Sequence, residues 1–294
     1  MANERVCLAV MAPTLNLCNY FFSIDEGFFS KEGVDVDVMV RPGLRNTEAV
    51  LKGEADFGAA NECVIQTALR GPTPLRIVLQ VLNDPLHDLI VPGGTRDLQD
   101  LKGKRIGVPG AGSTPEIQTR LLLTKSGLVP DRDVFVVPQA HGETMADRIG
   151  KFEQGEYAAL IASPPTPFLL HAKGYQSLTE LSSHFPHTAS HGLVATAETI
   201  ARRRPLVEAM VRGYVRGVAA LKGDREAALS FICGRFHLER ELAGRCYDLL
   251  KDRWSSGLSM ESLRTEIAFH ARNAGLAPIA PEVVADTTFC GVRA

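Results

Sequence analysis

The residue types best suited to chemistry gather between Gly103 and Gln118, in GKRIGVPGAGSTPEIQ. A short apolar run, residues 104–108, fits a buried strand and feeds the small-residue turn Pro109-Gly110-Ala111-Gly112. Ser113 or Thr114 can cap a helix there. Pro115 suits the first helical position, and Glu116 puts a carboxylate in the turn where the helix dipole favours it. A strand, a bare loop and a helix start with free N–H groups beside two hydroxyls can hold a polar or anionic small molecule. The same turn also occurs in α/β folds with nothing bound to it. It is not a nucleotide fingerprint: GAGSTP lacks the third glycine of G-x-G-x-x-G, and no G-x-x-x-x-G-K-[ST] occurs.

The elements that must position this turn repeat along the chain. Residues 5–11 form a first strand, residues 20–29 an amphipathic helix and residues 34–40 (VDVDVMV) a strongly alternating strand. Asn46 or Thr47 caps the next helix, residues 55–59 form a strand, and residues 64–69 a helix after the loop Ala60-Asn61-Glu62-Cys63. Residues 75–82 and 88–91, separated by Asn83-Asp84-Pro85, read as a strand pair at the edge of a lobe. A second cycle follows, with strands at 104–108, 134–138 and 157–162 and loops at 139–144 and 163–165. Leu51-Lys52-Gly53-Glu54-Ala55-Asp56-Phe57 in one half resembles Glu153-Gln154-Gly155-Glu156-Tyr157-Ala158-Ala159 in the other. Strand, loop and helix in alternation predict an α/β chain of two lobes, each a mainly parallel sheet flanked by helices. Residues 191–196 return the chain to the first lobe, and helices dominate after Ala201. The expected lobes are 1–94 with 190–294, and an inserted 95–189. In such sheets ligands sit off the carboxyl ends of the strands, so the post-strand loops of both lobes are the candidate site.

Length and composition fit this plan. The 294 residues are enough for two cores, and a 45% hydrophobic, 22% charged composition is that of a globular chain. A net charge of −2 gives no electrostatic case for nucleic acid. No apolar run reaches the ~18 residues of a membrane span, so membrane insertion is not expected. Six cysteines (Cys7, Cys18, Cys63, Cys233, Cys246, Cys290) show no C-x-x-C pair and no metal-ligand spacing. They read as free thiols, tilting slightly toward a reducing compartment, and no cofactor or metal is expected. The apolar residues 6–12 after Arg5 look like a short secretion signal, but Glu4 and the early Pro13 favour a core strand. A periplasmic location, with a signal already removed, and a cytoplasmic one both remain open.

Four phrases in register carry a family resemblance: residues 25–36 (DEGFFSKEGVDV), 51–58 (LKGEADFG), 100–108 (DLKGKRIGV) and 204–208 (RPLVE). With them the chain resembles the ABC-transporter solute-binding proteins of the nitrate, sulfonate, taurine and thiamine-precursor type, whose fold is the type-II periplasmic binding protein. The resemblance covers about two-thirds of the chain. It implies a two-lobed clamp that closes over a small solute in an interlobe cleft and works with an ABC permease. Ligand-binding residues implied in this way are Thr14, Asn16, Asn19, Arg45, Asn46, Asn61, Glu62, Gly112, Ser113, Thr114, His141, Glu143 and Ser163.

Single residues in these loops pull in different directions. Glu62 either favours a ligand with N–H groups or is a solvated acid at a helix start. Arg45 either forks onto a carboxylate or sulfonate or faces solvent. The fold also serves cytosolic enzymes, and in an enzyme acting on a small carboxylated or heteroaromatic substrate Cys18, His141 and Glu143 would be the chemical groups. No lysine lies in any binding loop, which argues against a pyridoxal phosphate enzyme. His184, His187 and His191 share a segment broken by Pro186 and do not form a chelating helix face.

Overall fold

The computed structural model describes residues 2–292 except His141, Ala189 and Gly291. By contact the chain divides into two compact units, residues 1–85 with 187–294 and residues 86–186.

The first unit opens with β1 (Glu4–Val10), α1 (Cys18–Asp25), β2 (Val34–Val40), α2 (Arg45–Leu51), β3 (Phe57–Ala60), α3 (Asn61–Arg70) and β4 (Leu75–Leu82). The second unit holds β5 (Asp88–Val91), β6 (Arg105–Val108), α4 (Thr114–Lys125), β7 (Phe135–Pro138), α5 (Met145–Glu153), β8 (Ala159–Ala162), α6 (Thr166–His171) and β9 (Gln176–Glu180). The chain then returns to the first unit with β10 (His191–Thr196), α7 (Ala197–Arg202), α8 (Arg204–Gly223), α9 (Arg225–Phe236), α10 (Arg240–Leu250), β11 (Trp254–Gly257) and α11 (Met260–Ala274).

In the first unit the strand order is β11-β4-β10-β3-β1-β2. β1 runs parallel to β2 and β3, whereas β10 is antiparallel to both β3 and β4. The order explains the two opening strands. β1 has neighbours on both sides and buries Val6, Leu8, Ala9 and Val10, while the alternating β2 lies at the edge and keeps Val38 and Val40 exposed. Asp35 and Asp37 on that edge pair with Asn3 and Arg5, charges that discourage pairing with another chain. One core of this unit joins Ala9, Val50, Val64, Ile65, Ile77 and Val194 to Leu263 and Ile267 of α11.

In the second unit the order is β7-β6-β8-β5-β9, with β6 parallel to β7 and β8 and with β5 antiparallel to β8 and β9. Its core packs Ile90, Phe152, Tyr157, Leu160 and Leu170. The α5 start is held by a capping box in which Thr144 and Asp147 satisfy each other's backbone N–H groups.

Three expectations are corrected. β4 and β5 are not an edge pair: each lies inside a different sheet, and Asn83-Asp84-Pro85 joins them. Neither Asn46 nor Thr47 caps α2, whose N-cap position is Leu44; the Asn46 amide reaches into the sheet instead. The stretch after Ala201, expected to be dominated by helices, also contains a strand: the segment around Trp254 adds β11 antiparallel to β4.

Candidate functional site

In the first unit the register brings several segments to one edge of the sheet. His191, at the start of β10, is opposite Ala60 at the end of β3 and Leu82 at the end of β4, and Trp254 at the start of β11 is also opposite Leu82. The segments entering or leaving the sheet there carry buried polar atoms that have no hydrogen-bond partner among the described residues. They are Asn16 Oδ1, Glu62 Oε2, Asn83 Oδ1, Thr188 Oγ1 and Trp254 Nε1. A buried polar atom without a partner costs about 1–3 kcal/mol. A row of them along one sheet edge is a surface that a polar ligand or water must complete.

Other residues of these segments hold the edge together. Asn19 is fully buried; its Nδ2 donates to Val81 O (2.7 Å) and Tyr214 Oη (2.6 Å), and its Oδ1 accepts from the Tyr20 N–H (2.9 Å). Asn46 Nδ2 donates to Ala9 O (2.8 Å) and its Oδ1 accepts from the Ala59 N–H (3.3 Å), tying β1 to β3. Asn61 donates from Nδ2 to His191 O (3.1 Å), and its carboxamide fills the space where a side chain at Gly192 would start. A Cβ added at Gly192 would come within 2.0 Å of Asn61 Oδ1 and 2.3 Å of Leu79 O, so only glycine lets the backbones approach this closely. Sequence reasoning grouped these asparagines with the ligand contacts, but the geometry engages all three in the fold.

Glu62 stands differently. α3 begins at Asn61, so Glu62 is not in a loop but in the first helical turn, where the dipole favours its charge. It is only 2% exposed and lies near the buried Glu266 of α11. Burial first, and then Glu266, push its carboxyl well above the usual carboxylate range, against the opposing pull of its own backbone N–H. Glu266 Oε1 is 3.2 Å from His270 Nε2, and His270 Nδ1 has no partner among the described residues. His191 lies close to the same carboxylate, yet burial lowers its pKa to about 4 against the attraction of Glu266. Its Nδ1 is 2.6 Å from Ser190 Oγ. The cluster suits uptake of a proton or of an N–H donor. Among the described residues no group of three or more His, Cys, Asp or Glu could hold a metal ion.

Cys18 is completely buried at the start of α1, and burial, with a smaller contribution from Cys246, raises its thiol far above the reactive range. Thr14 is half-buried and opens the 3-10 turn Leu15–Leu17, accepting the Leu17 N–H on its carbonyl (3.0 Å). Arg45 is exposed at the first position of α2.

In the second unit the turn before α4 forms as the glycine pattern predicts, with Gly112 at φ +75°. Ser113 takes the N-cap position with extended dihedrals and Pro115 follows in the first turn, but the Ser113 hydroxyl makes no capping bond. Ser113 is 7% exposed and Thr114 is fully buried, and neither hydroxyl has a partner among the described residues. Glu116 Oε2 accepts from the Gly112 N–H (3.2 Å), and its other oxygen pairs with Arg120. Gln118, one turn further, is also fully buried with neither end of its amide partnered.

Two charges complete this picture. Arg148 of α5, which the amphipathic pattern presents as an ordinary helix-face cation, is 1% exposed and donates to Gly107 O (3.2 Å) and Ile161 O (2.8 Å), bridging β6 and β8. Burial lowers its pKa to about 10, against the attraction of Glu143. Glu143 takes the Ala140 N–H (2.9 Å) and the Lys151 ammonium (2.7 Å), which together outweigh its burial and hold its carboxyl below the usual range. It closes its own loop. Ser163 is half-buried and accepts the Thr166 N–H on its carbonyl (3.1 Å) as α6 begins. His141 lies outside the described residues.

Comparison with known proteins places this arrangement. A Brucella abortus (strain 2308) protein named as a binding protein is 27% identical over 190 residues, covering 64% of this chain and 57% of the relative, so the chain spans little more than half of that relative's length. The Schizosaccharomyces pombe enzyme 4-amino-5-hydroxymethyl-2-methylpyrimidine phosphate synthase is 29% identical over 113 residues, 37% of this chain and 32% of the enzyme. Among solved structures, the alkanesulfonate-binding protein SsuA from Xanthomonas axonopodis pv. citri, bound to MOPS, matches 100% of both chains with a TM-score of 0.79 at 18% identity, a likeness of fold. The two sheets with their flanking helices are thus those of a periplasmic-binding-protein fold, and no helix among the described residues is long and apolar enough to cross a membrane. Residues 14–228 match the profile of one family, and on that match the chain belongs to the NMT1/THI5-like family.

Proposed function

We propose that this chain is a solute-binding protein that captures a small polar organic molecule and delivers it, unchanged, to an ABC permease for uptake. The observation that carries the reading is the set of buried, unpartnered polar atoms at the strand ends of the first unit and at the α4 start of the second. In the first unit they offer acceptors to N–H groups, through Asn16 Oδ1 and Glu62 Oε2. In the second unit Ser113 and Thr114 offer hydroxyls beside the N–H groups of a helix start, which by itself suits a group carrying oxygen acceptors. Thr14 and Gly112 border these groups in the chain, and Ser163 follows β8 of the second unit. The binding-protein name of the Brucella relative and the ligand-bound SsuA structure support the same role. In that role the chain works in the periplasm. The burial of Cys18 argues against an enzyme that uses it as nucleophile.

Native mass spectrometry of the purified chain, set against the same sample denatured, tests the reading. The expected result is a small molecule held by the folded chain, released intact on denaturation and raising the melting temperature when added back. Conversion of that molecule on incubation, or a folded chain that holds no solute and responds to none, would overturn it.

A further inference from the structure

Gln118 closes the stretch that holds the glycine turn and the α4 start, and its carboxamide makes no hydrogen bond among the described residues. It is fully buried on α4, four residues after Thr114 and therefore on the same helix face. Side chains of a helix lean toward its N-terminus, which carries the Gln118 amide back over the turn that Thr114 opens. Neither Nε2 nor Oε1 has a partner among the described residues, and the Ser113 and Thr114 hydroxyls at the start of the same helix are in the same state. Three unpartnered side chains, each more than nine-tenths buried, thus converge on the start of one twelve-residue helix.

We propose that Gln118, with Ser113 and Thr114, forms a ligand subsite that reads an amide-type edge, one carbonyl oxygen beside one N–H. The inference rests on the solute-binding reading and narrows its ligand class. A carboxamide presents one donor and one acceptor in a single plane, and only a group with the complementary pair satisfies both at once. The requirement is the same if the amide is turned over, because donor and acceptor merely exchange places. A sulfonate or an ionised carboxylate offers acceptors only: it can take the Nε2–H, but it leaves Oε1 buried against a second oxygen. The two hydroxyls rotate to donate or accept and so tolerate either class. Discrimination falls to Gln118. A site built to bond both halves of an amide rejects analogues lacking one half, because its own polar atom is then left unpaired.

The test uses the full chain and its Gln118→Met variant, which keeps the length of the side chain and removes both polar ends. The probes are 2-pyridone and benzamide, whose amides present the complementary edge, and isethionate, a sulfonate of similar size, each followed by calorimetric titration and by melting temperature. We expect the amide probes to bind the wild-type chain more tightly than isethionate does, and to lose about ten-fold or more in affinity in Gln118→Met. Without ligand the variant melts at or above the wild type, because a buried amide without partners has been replaced by an apolar group of its shape. Equal affinity of both proteins for the amide probes would show that water satisfies Gln118 and would overturn the proposal. So would failure of the wild type to bind either amide probe, or a preference for isethionate. Binding of isethionate with no binding of either amide probe removes the amide subsite but leaves solute capture standing. Solute capture itself fails only if the folded chain holds no solute and none of the three probes binds.

Discussion

Asn19→Ala separates the two roles open to a polar residue in the first post-strand segment. Asn19 makes three hydrogen bonds, to Val81 O, to Tyr214 Oη and from the Tyr20 N–H. Tyr214 keeps bonds of its own to Val81 O (3.2 Å) and Ser255 O (2.8 Å), so the loss is not compounded on that side. At about 1 kcal/mol for each bond, truncation costs about 3 kcal/mol, with some addition for the Tyr20 N–H left buried. For a unit of this size that corresponds to a fall of roughly 6–12 °C in melting temperature. The assay is thermal unfolding, followed by titration of the solute identified by native mass spectrometry well below the lowered midpoint. The structure predicts a large loss of stability with affinity kept within about two-fold, since Asn19 spends its amide on the fold. Wild-type stability with lost affinity would refute this reasoning and return Asn19 to the ligand contacts.

Three further outcomes follow from the same geometry. Because the folded-state pKa of Glu62 is raised, the folded chain binds more protons than the unfolded one above the ordinary carboxylate range, so this group makes stability fall as pH rises through that window. Glu62→Gln removes the fall, and its stability advantage over wild type in urea melts grows from about pH 5 to about pH 8; an advantage that shrinks with pH contradicts the burial argument. Cys18 stays unmodified by iodoacetamide in the folded chain while the exposed Cys290 reacts, as peptide mapping can show, and Cys18→Ser binds solute as wild type does. Gly192→Ala drives a methyl group onto Asn61 and the Leu79 carbonyl in the middle of the first sheet and destabilises the unit by about 3 kcal/mol or more, measured by denaturant unfolding; a near-neutral effect would mean that β10 can shift.

Much of the architecture was legible because it rests on local periodicity. The alternation of residues 34–40, the apolar runs of β1, β6 and β10 and the glycine turn before α4 each state their own conformation, and the family phrases set their order. What stayed hidden depends on partners far away in sequence. Asn83-Asp84-Pro85 reads like a hairpin turn, and nothing local reveals that the strands on either side enter different sheets. Asn19 and Asn46 look like ligand residues because loop asparagines are free to reach in either direction; their actual partners, Val81, Tyr214, Ala9 and Ala59, are fixed only by the fold. Gln118 and Arg148 are polar residues on helices, a pattern that normally means solvent, and only burial sets them apart. The positions of Ser113 and Thr114 at the start of α4 are legible from type and spacing alone, because a helix start after a glycine turn makes its demand locally.

The most direct test of the account compares the affinity of the co-purified solute for the wild-type chain and for a Ser113→Ala/Thr114→Val double variant by isothermal titration calorimetry. Removing two buried, unpartnered hydroxyls should weaken binding by about ten-fold or more while leaving the ligand-free melting temperature unchanged or higher. Unchanged affinity in a folded double variant would contradict the claim that the solute completes these groups.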